Sequence, residues 1–119
     1  MKKTMCVLAA LMAFQAGPGM AQLVRIETEA KFREVVEGAL LTRPLVKLTV
    51  TGDGRISGTG AFDDIQGRWQ WDGDYFCREM TWGSREIVWD CQTVSAAGDT
   101  IRFTAERGAG DSAEFSLKR

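Results

Sequence analysis

Residues 67–91 have the sequence G-R-W-Q-W-D-G-D-Y-F-C-R-E-M-T-W-G-S-R-E-I-V-W-D-C. This stretch holds all four tryptophans, the only tyrosine and two of the three cysteines of the chain. Turn-forming residues at 72–74 and 83–85 separate segments that are rich in aromatic and β-branched side chains. The pattern predicts two consecutive β-hairpins.

The pairing of the strands depends on the length of the two turns. If each turn has three residues, Trp69 lies opposite Cys77 in the first hairpin, and Cys77 lies opposite Cys91 in the second. Cross-strand neighbours on one face approach closely enough to form a disulfide. The pairing therefore predicts a Cys77–Cys91 bridge with Trp69 packed beside it.

The same pairing divides the side chains between two faces of the sheet. One face is predicted to form the core around the disulfide, because its members are mostly aromatic. Its core residues are Trp69, Trp71, Tyr75 and Trp89.

The other face combines guanidinium groups with flat apolar side chains, a combination typical of surfaces that bind a glycan, a peptide or an anion. The candidate binding residues are Arg68, Phe76, Arg78, Met80, Trp82, Asp90 and Gln92. A structural alternative stays open. Arg78 and Asp90 would then be an ordinary cross-strand ion pair, with Phe76, Met80 and Trp82 packed under the helix.

The N-terminal residues 1–21 have the features of a secretory signal peptide. Lys2 and Lys3 precede a short apolar run, and small residues stand before Gln22. The apolar run is shorter than the ~20 residues that span a bilayer. We expect cleavage before Gln22, no membrane insertion afterwards, and a periplasmic or secreted domain of residues 22–119.

The charge and the cysteine content limit the kinds of partner and site that the sequence supports. Without Lys2 and Lys3, 13 basic residues face 16 acidic ones, and the formal net charge changes from −1 to −3. A mildly acidic chain without a basic run gives no reason to expect nucleic acid as a partner. Two cysteines in an exported chain indicate a disulfide, and the chain lacks histidine to complete a metal site.

The rest of the chain predicts one helix followed by strands. Thr28 is a helix cap, apolar residues recur at helical spacing, and Gly38 follows, which predicts a helix near 28–37. Alternating apolar and polar residues then predict seven strands, of which the first begins near residue 46 and the last ends near 118. Short turns between them favour an antiparallel meander. We therefore expect a mainly β fold, barrel-like or strongly curved, with an N-terminal helix and one disulfide.

No pattern of catalytic residues is evident. The absence of histidine removes the common general base and the serine–histidine pair. Asp72 with Asp74, and Asp63 with Asp64, lack the spacing of a calcium loop and are typical of turns. We expect no metal and no cofactor.

Several motifs resemble those of a group of small exported proteins of alphaproteobacteria. The motifs span nearly the whole of residues 22–119: residues 32–38, G-R-W-Q-W at 67–71, Y-F-C-R at 75–78, C-Q-T-V at 91–94, G-D-T-I-R-F-T at 98–104 and G-A-G-D at 108–111. Some members carry the name dihydrodipicolinate reductase, which implies reduction by a nicotinamide cofactor. The chain has no dinucleotide-binding glycine motif after a first strand, so no functional residue of that enzyme carries over to it.

The leading functional hypothesis is a non-enzymatic exported β-domain that binds a protein or a small ligand. Two alternatives remain: a reductase, which rests on the resemblance alone, and an inhibitor of a periplasmic enzyme of the lysozyme type, which rests on analogy of fold.

Overall fold

The computed structural model describes residues 22–119, and these form a closed antiparallel β-barrel of eight strands. The predicted signal peptide lies outside the described residues. The elements in chain order are β1 Val24–Ile26, α1 Glu29–Val36, β2 Leu40–Arg43, β3 Val46–Val50, β4 Arg55–Gly60, β5 Asp63–Asp72, β6 Tyr75–Trp82, β7 Arg85–Ala97, β8 Thr100–Thr104, a 3₁₀ turn Glu106–Gly108 and β9 Ser112–Lys118.

The barrel closes because β7 pairs with strands on both of its edges. The order around the barrel is β7-β6-β5-β4-β3-β2-β9-β8, and β8 pairs back with β7. The ninth strand, β1, pairs with the C-terminal half of β7. It follows β6 along the same edge of β7, past the residues of β7 that β6 pairs with. Nine strands are present where the sequence predicts seven, and the helix follows β1 instead of beginning the fold. The three-residue β1 and four-residue β2 are too short to show a clear alternating pattern.

The helix α1 forms where the sequence predicts it. The side-chain oxygen of Thr28 accepts a hydrogen bond from the backbone N–H of Lys31, 3.2 Å away, which caps the first turn. Gly38, with a φ of 74°, lies just beyond the last turn, where the left-handed conformation favours glycine. None of the helices within residues 22–119 is long and apolar enough to cross a membrane.

The buried face of α1 covers one end of the barrel. Phe32 and Val36 are buried, and the ring of Phe32 lies 4.9 to 6.4 Å from the rings of four aromatic residues of the barrel. Arg33 donates a hydrogen bond from Nη1 to the carbonyl of Gly52 at 2.7 Å, which holds the helix to the β3–β4 turn. The turns at 44–45, 61–62 and 83–84 lie at the opposite end, because successive strands run in opposite directions.

The first hairpin differs from the predicted register by one residue. Asp72 pairs with Tyr75, so the turn contains only Gly73 and Asp74, and Trp69 lies opposite Arg78 instead of Cys77. Because side chains alternate between faces, a shift of one residue moves every side chain of a strand to the other face. Relative to Trp69, the even-numbered residues of β6 therefore face the barrel interior, and Cys77 faces outward.

The predicted disulfide is confirmed, although the turn beside it is also shorter than expected. Cys77 and Cys91 are directly opposite each other and bonded, and the second turn contains only residues 83 and 84. An extra residue in β7 compensates, because Val88 and Trp89 together lie opposite Glu79 as a β-bulge. The bridge joins β6 to β7 on the outer side of the barrel, away from Trp69.

Glycines allow the strands to approach closely where the barrel curls. A Cβ atom added at Gly58 would lie 1.9 Å from the backbone oxygen of Lys47, and one at Gly67 would lie 2.3 Å from that of Glu79. Only residues without a side chain are tolerated at such positions. The predicted curvature at the glycines of β4 therefore has a direct steric cause.

Candidate functional site

The interior of the barrel contains a pocket of about 150 Å³ that is partly open to solvent. Side chains from seven of the eight barrel strands line it, and they are aliphatic or aromatic with two exceptions, Arg78 and Gln92. No residue of α1 lines the pocket, but Phe76 and Phe103 separate it from Phe32. The arrangement is an apolar interior with one permanent positive charge.

Arg78 reaches this interior from β6 because it shares a face with the buried Trp69. Its Nη1 donates a hydrogen bond of 3.0 Å to the carbonyl of Val88 in the bulge of β7. A guanidinium group has five N–H donors. Every fully buried polar side-chain atom of residues 22–119 has a hydrogen-bond partner, so the other nitrogens of Arg78 remain open to solvent or to a ligand.

Partial burial also affects the acidity of Arg78. Desolvation lowers the pKa of the guanidinium below its ordinary value, and the nearby carboxylate of Asp90 partly opposes this shift. Arginine nevertheless stays protonated in proteins. The pocket therefore contains a cation that is less well solvated than an arginine on an open surface.

Asp90 lies directly opposite Arg78, as predicted, but the two do not form a close ion pair. Among residues 22–119, no carboxylate oxygen lies within 4.0 Å of a nitrogen of Arg78. Oδ2 of Asp90 instead accepts a hydrogen bond of 3.0 Å from the backbone N–H of Glu106. The positive charge of Arg78 is thus only partly compensated.

The structure does not place the candidate binding residues on one open face. Phe76 is buried in the core, and Met80 and Trp82 are half-buried against it. Nε1 of Trp82 donates a hydrogen bond of 2.8 Å to the carbonyl of Gly60. Arg78 and Gln92 line the interior pocket, whereas Arg68 lies on the outer side of β5. The candidate binding face is therefore corrected: the shifted hairpin turns most of it inward, and Phe76 packs under the helix, as the structural alternative predicts.

The four residues expected in the core also differ in burial. Trp69 is buried, and Trp71 is half-buried and packed against the core. Tyr75 faces outward, where the guanidinium carbons of Arg25 and Arg107 each lie 5.5 Å from its ring centre. Trp89 is 45% exposed, which corrects its expected place in the core.

Other residues of the pocket were not predicted as part of a site. Leu48, Phe103 and Phe115 each line it, from β3, β8 and β9. Their alternation with polar residues indicates that they face inward, but nothing in the local pattern places them beside Arg78. Closure of the barrel brings them together.

Acidic residues do not cluster into a cation site. Within residues 22–119, no group of three or more potential metal-binding side chains is found. Asp53 has a lowered pKa because the hydroxyl of Thr51 donates a hydrogen bond to its carboxylate, with a smaller contribution from Arg55. Its position in the exposed β3–β4 turn, with a local partner, is that of a turn-stabilising residue.

Comparison with known proteins supplies no relative for this chain: no family model, curated protein or solved structure matches it.

Proposed function

We propose that this protein is a non-enzymatic, exported binding protein whose barrel interior takes a small carboxylate with an apolar body. The observation that carries the proposal is the guanidinium of Arg78, which among residues 22–119 is the one charged group lining a mostly apolar pocket and keeps unused hydrogen-bond donors. Arginine recognises carboxylates through paired N–H donors, and such bonds are stronger where water is scarce.

The size of the pocket limits the ligand. A cavity of about 150 Å³ lined by apolar side chains is large enough for a benzene-sized molecule. Sites for drug-sized ligands are usually larger, from roughly 300 Å³ upward. An aromatic or short aliphatic acid therefore matches the interior, whereas a nicotinamide dinucleotide is far too large for it.

Gln92 and Asp90 would make the pocket more specific for its ligand. The amide of Gln92 lines the same pocket and offers both a donor and an acceptor. The carboxylate of Asp90 lies near Arg78, and its negative charge disfavours ligands that carry more than one negative charge. The preferred ligand is thus a monocarboxylate.

Export is part of the proposal and rests on the sequence. The N-terminal pattern is that of a secretory signal, and disulfides persist in oxidising compartments. The Cys77–Cys91 bridge is compatible with such a compartment.

The test compares acids with alcohols of the same shape. Residues 22–119 with the disulfide intact would be titrated calorimetrically with benzoate and hexanoate, and in parallel with benzyl alcohol and 1-hexanol. We expect the acids to bind and the alcohols to bind at least tenfold more weakly, because only the acids pair with Arg78.

Two variants locate the binding. Arg78→Met keeps an unbranched apolar side chain in the pocket and is expected to weaken benzoate binding at least tenfold. Arg55→Met removes an exposed arginine outside the pocket and is expected to leave the affinity unchanged. Equal binding of acids and alcohols, or full affinity in Arg78→Met, would refute the proposal.

A further inference from the structure

Trp89 differs from the other three tryptophans in its environment. The indole nitrogens of Trp69, Trp71 and Trp82 donate hydrogen bonds of 2.7 to 3.0 Å to backbone carbonyls. Within residues 22–119, Trp89 has no such partner, and 45% of its surface is exposed. Packing and internal hydrogen bonds therefore account for the positions of Trp69, Trp71 and Trp82, but not for the exposed position of Trp89.

The β-bulge in β7 is what turns Trp89 outward. Val88 and Trp89 together lie opposite Glu79, so both are directed to the outer side of the sheet, and Val88 is 75% exposed. Bulges are common where a strand redirects a functional side chain. The disulfide at Cys91, the next outward residue of β7, fixes this strand to β6 and holds the position of Trp89.

Polar side chains lie beside the exposed indole on β6, the neighbouring strand, and on β5, the strand beyond it. Nε and Nη2 of Arg68 donate hydrogen bonds of 3.0 and 2.8 Å to Oε2 of Glu79. Gln70 lies two residues further along β5, on the same side as Arg68. Together with Trp69 and Trp89, these three residues line a depression of about 370 Å³. The Arg68–Glu79 pair leaves Nη1 of the arginine and Oε1 of the glutamate for a ligand.

The depression continues into a longer groove across β4 to β7. The groove has a volume of about 850 Å³ and shares Arg68, Glu79 and Trp89 with the depression. Five charged side chains line it: Arg55 is paired with Asp53 at 3.6 Å and Arg68 with Glu79 at 2.8 Å, and Glu86 leaves a formal net charge of −1. A net charge of −1 disfavours a polyanion and attracts a polycation only weakly, so a neutral ligand meets no electrostatic penalty.

We propose that this outer groove binds a neutral polysaccharide chain, with Trp89 as the platform for one sugar ring. The C–H face of a sugar ring is apolar and flat enough to stack on an indole, whereas its hydroxyl groups need donors and acceptors at the edge. Arg68, Gln70 and Glu79 provide both on adjacent strands. The polar groups of the two sites lie on opposite sides of the barrel wall, because Arg68 points outward and Arg78 inward, although Ile56 and Met80 contribute to both linings.

The test uses three soluble neutral oligosaccharides: cellohexaose, maltohexaose and the hexamer of N-acetylglucosamine. Each would be titrated into ¹⁵N-labelled residues 22–119. We expect at least one of them to bind, with chemical-shift changes at the indole N–H of Trp89 and at Gln70. The indole signals of Trp71 and Trp82 should change little, because these residues line neither the groove nor the depression and their N–H groups are bonded within the protein.

Matched variants distinguish stacking on Trp89 from nonspecific binding to exposed aromatic side chains. Trp89→Ala is expected to weaken binding at least tenfold, and Trp89→Phe to retain part of the affinity. Phe62→Ala removes another exposed aromatic, 98% exposed in the β4–β5 turn and outside the groove, and is expected to have no effect. Melting temperatures of all variants would show that each is folded.

Three results would overturn the proposal: no binding of any of the three hexamers at 10 mM, unchanged affinity in folded Trp89→Ala, or tighter binding of polygalacturonate than of the neutral chains. Saturating benzoate, the probe for the interior pocket, should leave the affinity for the oligosaccharide unchanged. Failure at one site is therefore distinguishable from failure at the other.

Discussion

The ring of Phe32 in α1 lies 4.9 Å from the ring of Phe76 in β6, and this contact joins the helix to the barrel interior. Phe32 is fully buried and also contacts Trp69, Trp71 and Phe103. One side chain thus ties the only α-helix of residues 22–119 to strands β5, β6 and β8.

Truncation of Phe32 should therefore destabilise the domain strongly. We expect Phe32→Ala to lower the free energy of unfolding by about 3–5 kcal/mol, because it leaves a cavity among four aromatic rings. Urea denaturation followed by tryptophan fluorescence measures the change. Lys31→Ala, one residue earlier and exposed, is the control and should cost less than about 0.5 kcal/mol. Similar losses in both variants would contradict the central role of the contact.

Reduction of the disulfide should also lower stability. Cys77 and Cys91 are 14 residues apart in sequence, and a loop of this length is expected to contribute about 3 kcal/mol by restricting the unfolded chain. Comparison of urea midpoints with and without dithiothreitol measures the effect. The double variant Cys77→Ala, Cys91→Ala should show a similar loss and no response to the reductant. An unchanged midpoint on reduction would argue against a stabilising bridge.

Glycine substitutions should separate steric from conformational effects. Gly58→Ala is expected to prevent correct barrel formation, because its Cβ would collide with the backbone oxygen of Lys47. Gly73→Ala meets no atom within 4 Å and strains only a backbone with φ of 64°, so it should cost about 1 kcal/mol. Circular dichroism and thermal melts compare the two. A folded Gly58→Ala with a normal melting temperature would show that the strands can separate there at little cost.

The β3–β4 turn should show a titration that depends on Thr51. The hydrogen bond from its hydroxyl lowers the pKa of Asp53, so the folded state favours the charged carboxylate. The resulting stabilisation is present above the pKa of Asp53 in the unfolded chain, and it is lost as pH falls through the lower pKa of the folded state. Thr51→Val should raise the pKa of Asp53 towards its ordinary value. Carbon-detected NMR titration of the carboxylate measures this shift, and Thr49→Val is the control outside the turn.

The local pattern was sufficient for much of the secondary structure. Thr28 and Gly38 bracket the helix, and alternation of apolar and polar residues locates β3 to β9. Each of these signals acts within a few residues of the chain, so it can be recognised without knowledge of the tertiary structure. The short strands β1 and β2 give no comparable signal, because three and four residues are too few to show an alternating pattern.

The sequence predicted the candidate sites less well than the strands. Most of the wrong predictions result from the length of one turn. The sequence 72–74 permits a two-residue or a three-residue turn, and the structure contains the shorter one. This single choice moves Phe76 and Arg78 inside and separates Trp69 from the disulfide. Trp89 is exposed for a second reason, because the bulge at residues 88–89 cannot be inferred from its local pattern.

The sequence by itself determined the helix, seven of the nine strands and the partners in the disulfide. The bridge was predictable because its two cysteines are opposite each other in both registers: the shorter turn removes a residue and the bulge restores it. Only the tertiary structure decided which side chains are inside. Side-chain direction reverses with every residue along a strand, so it depends on a register that barrel closure and core packing fix together. Those global constraints place Arg78 in the interior pocket and Trp89 on the outer groove.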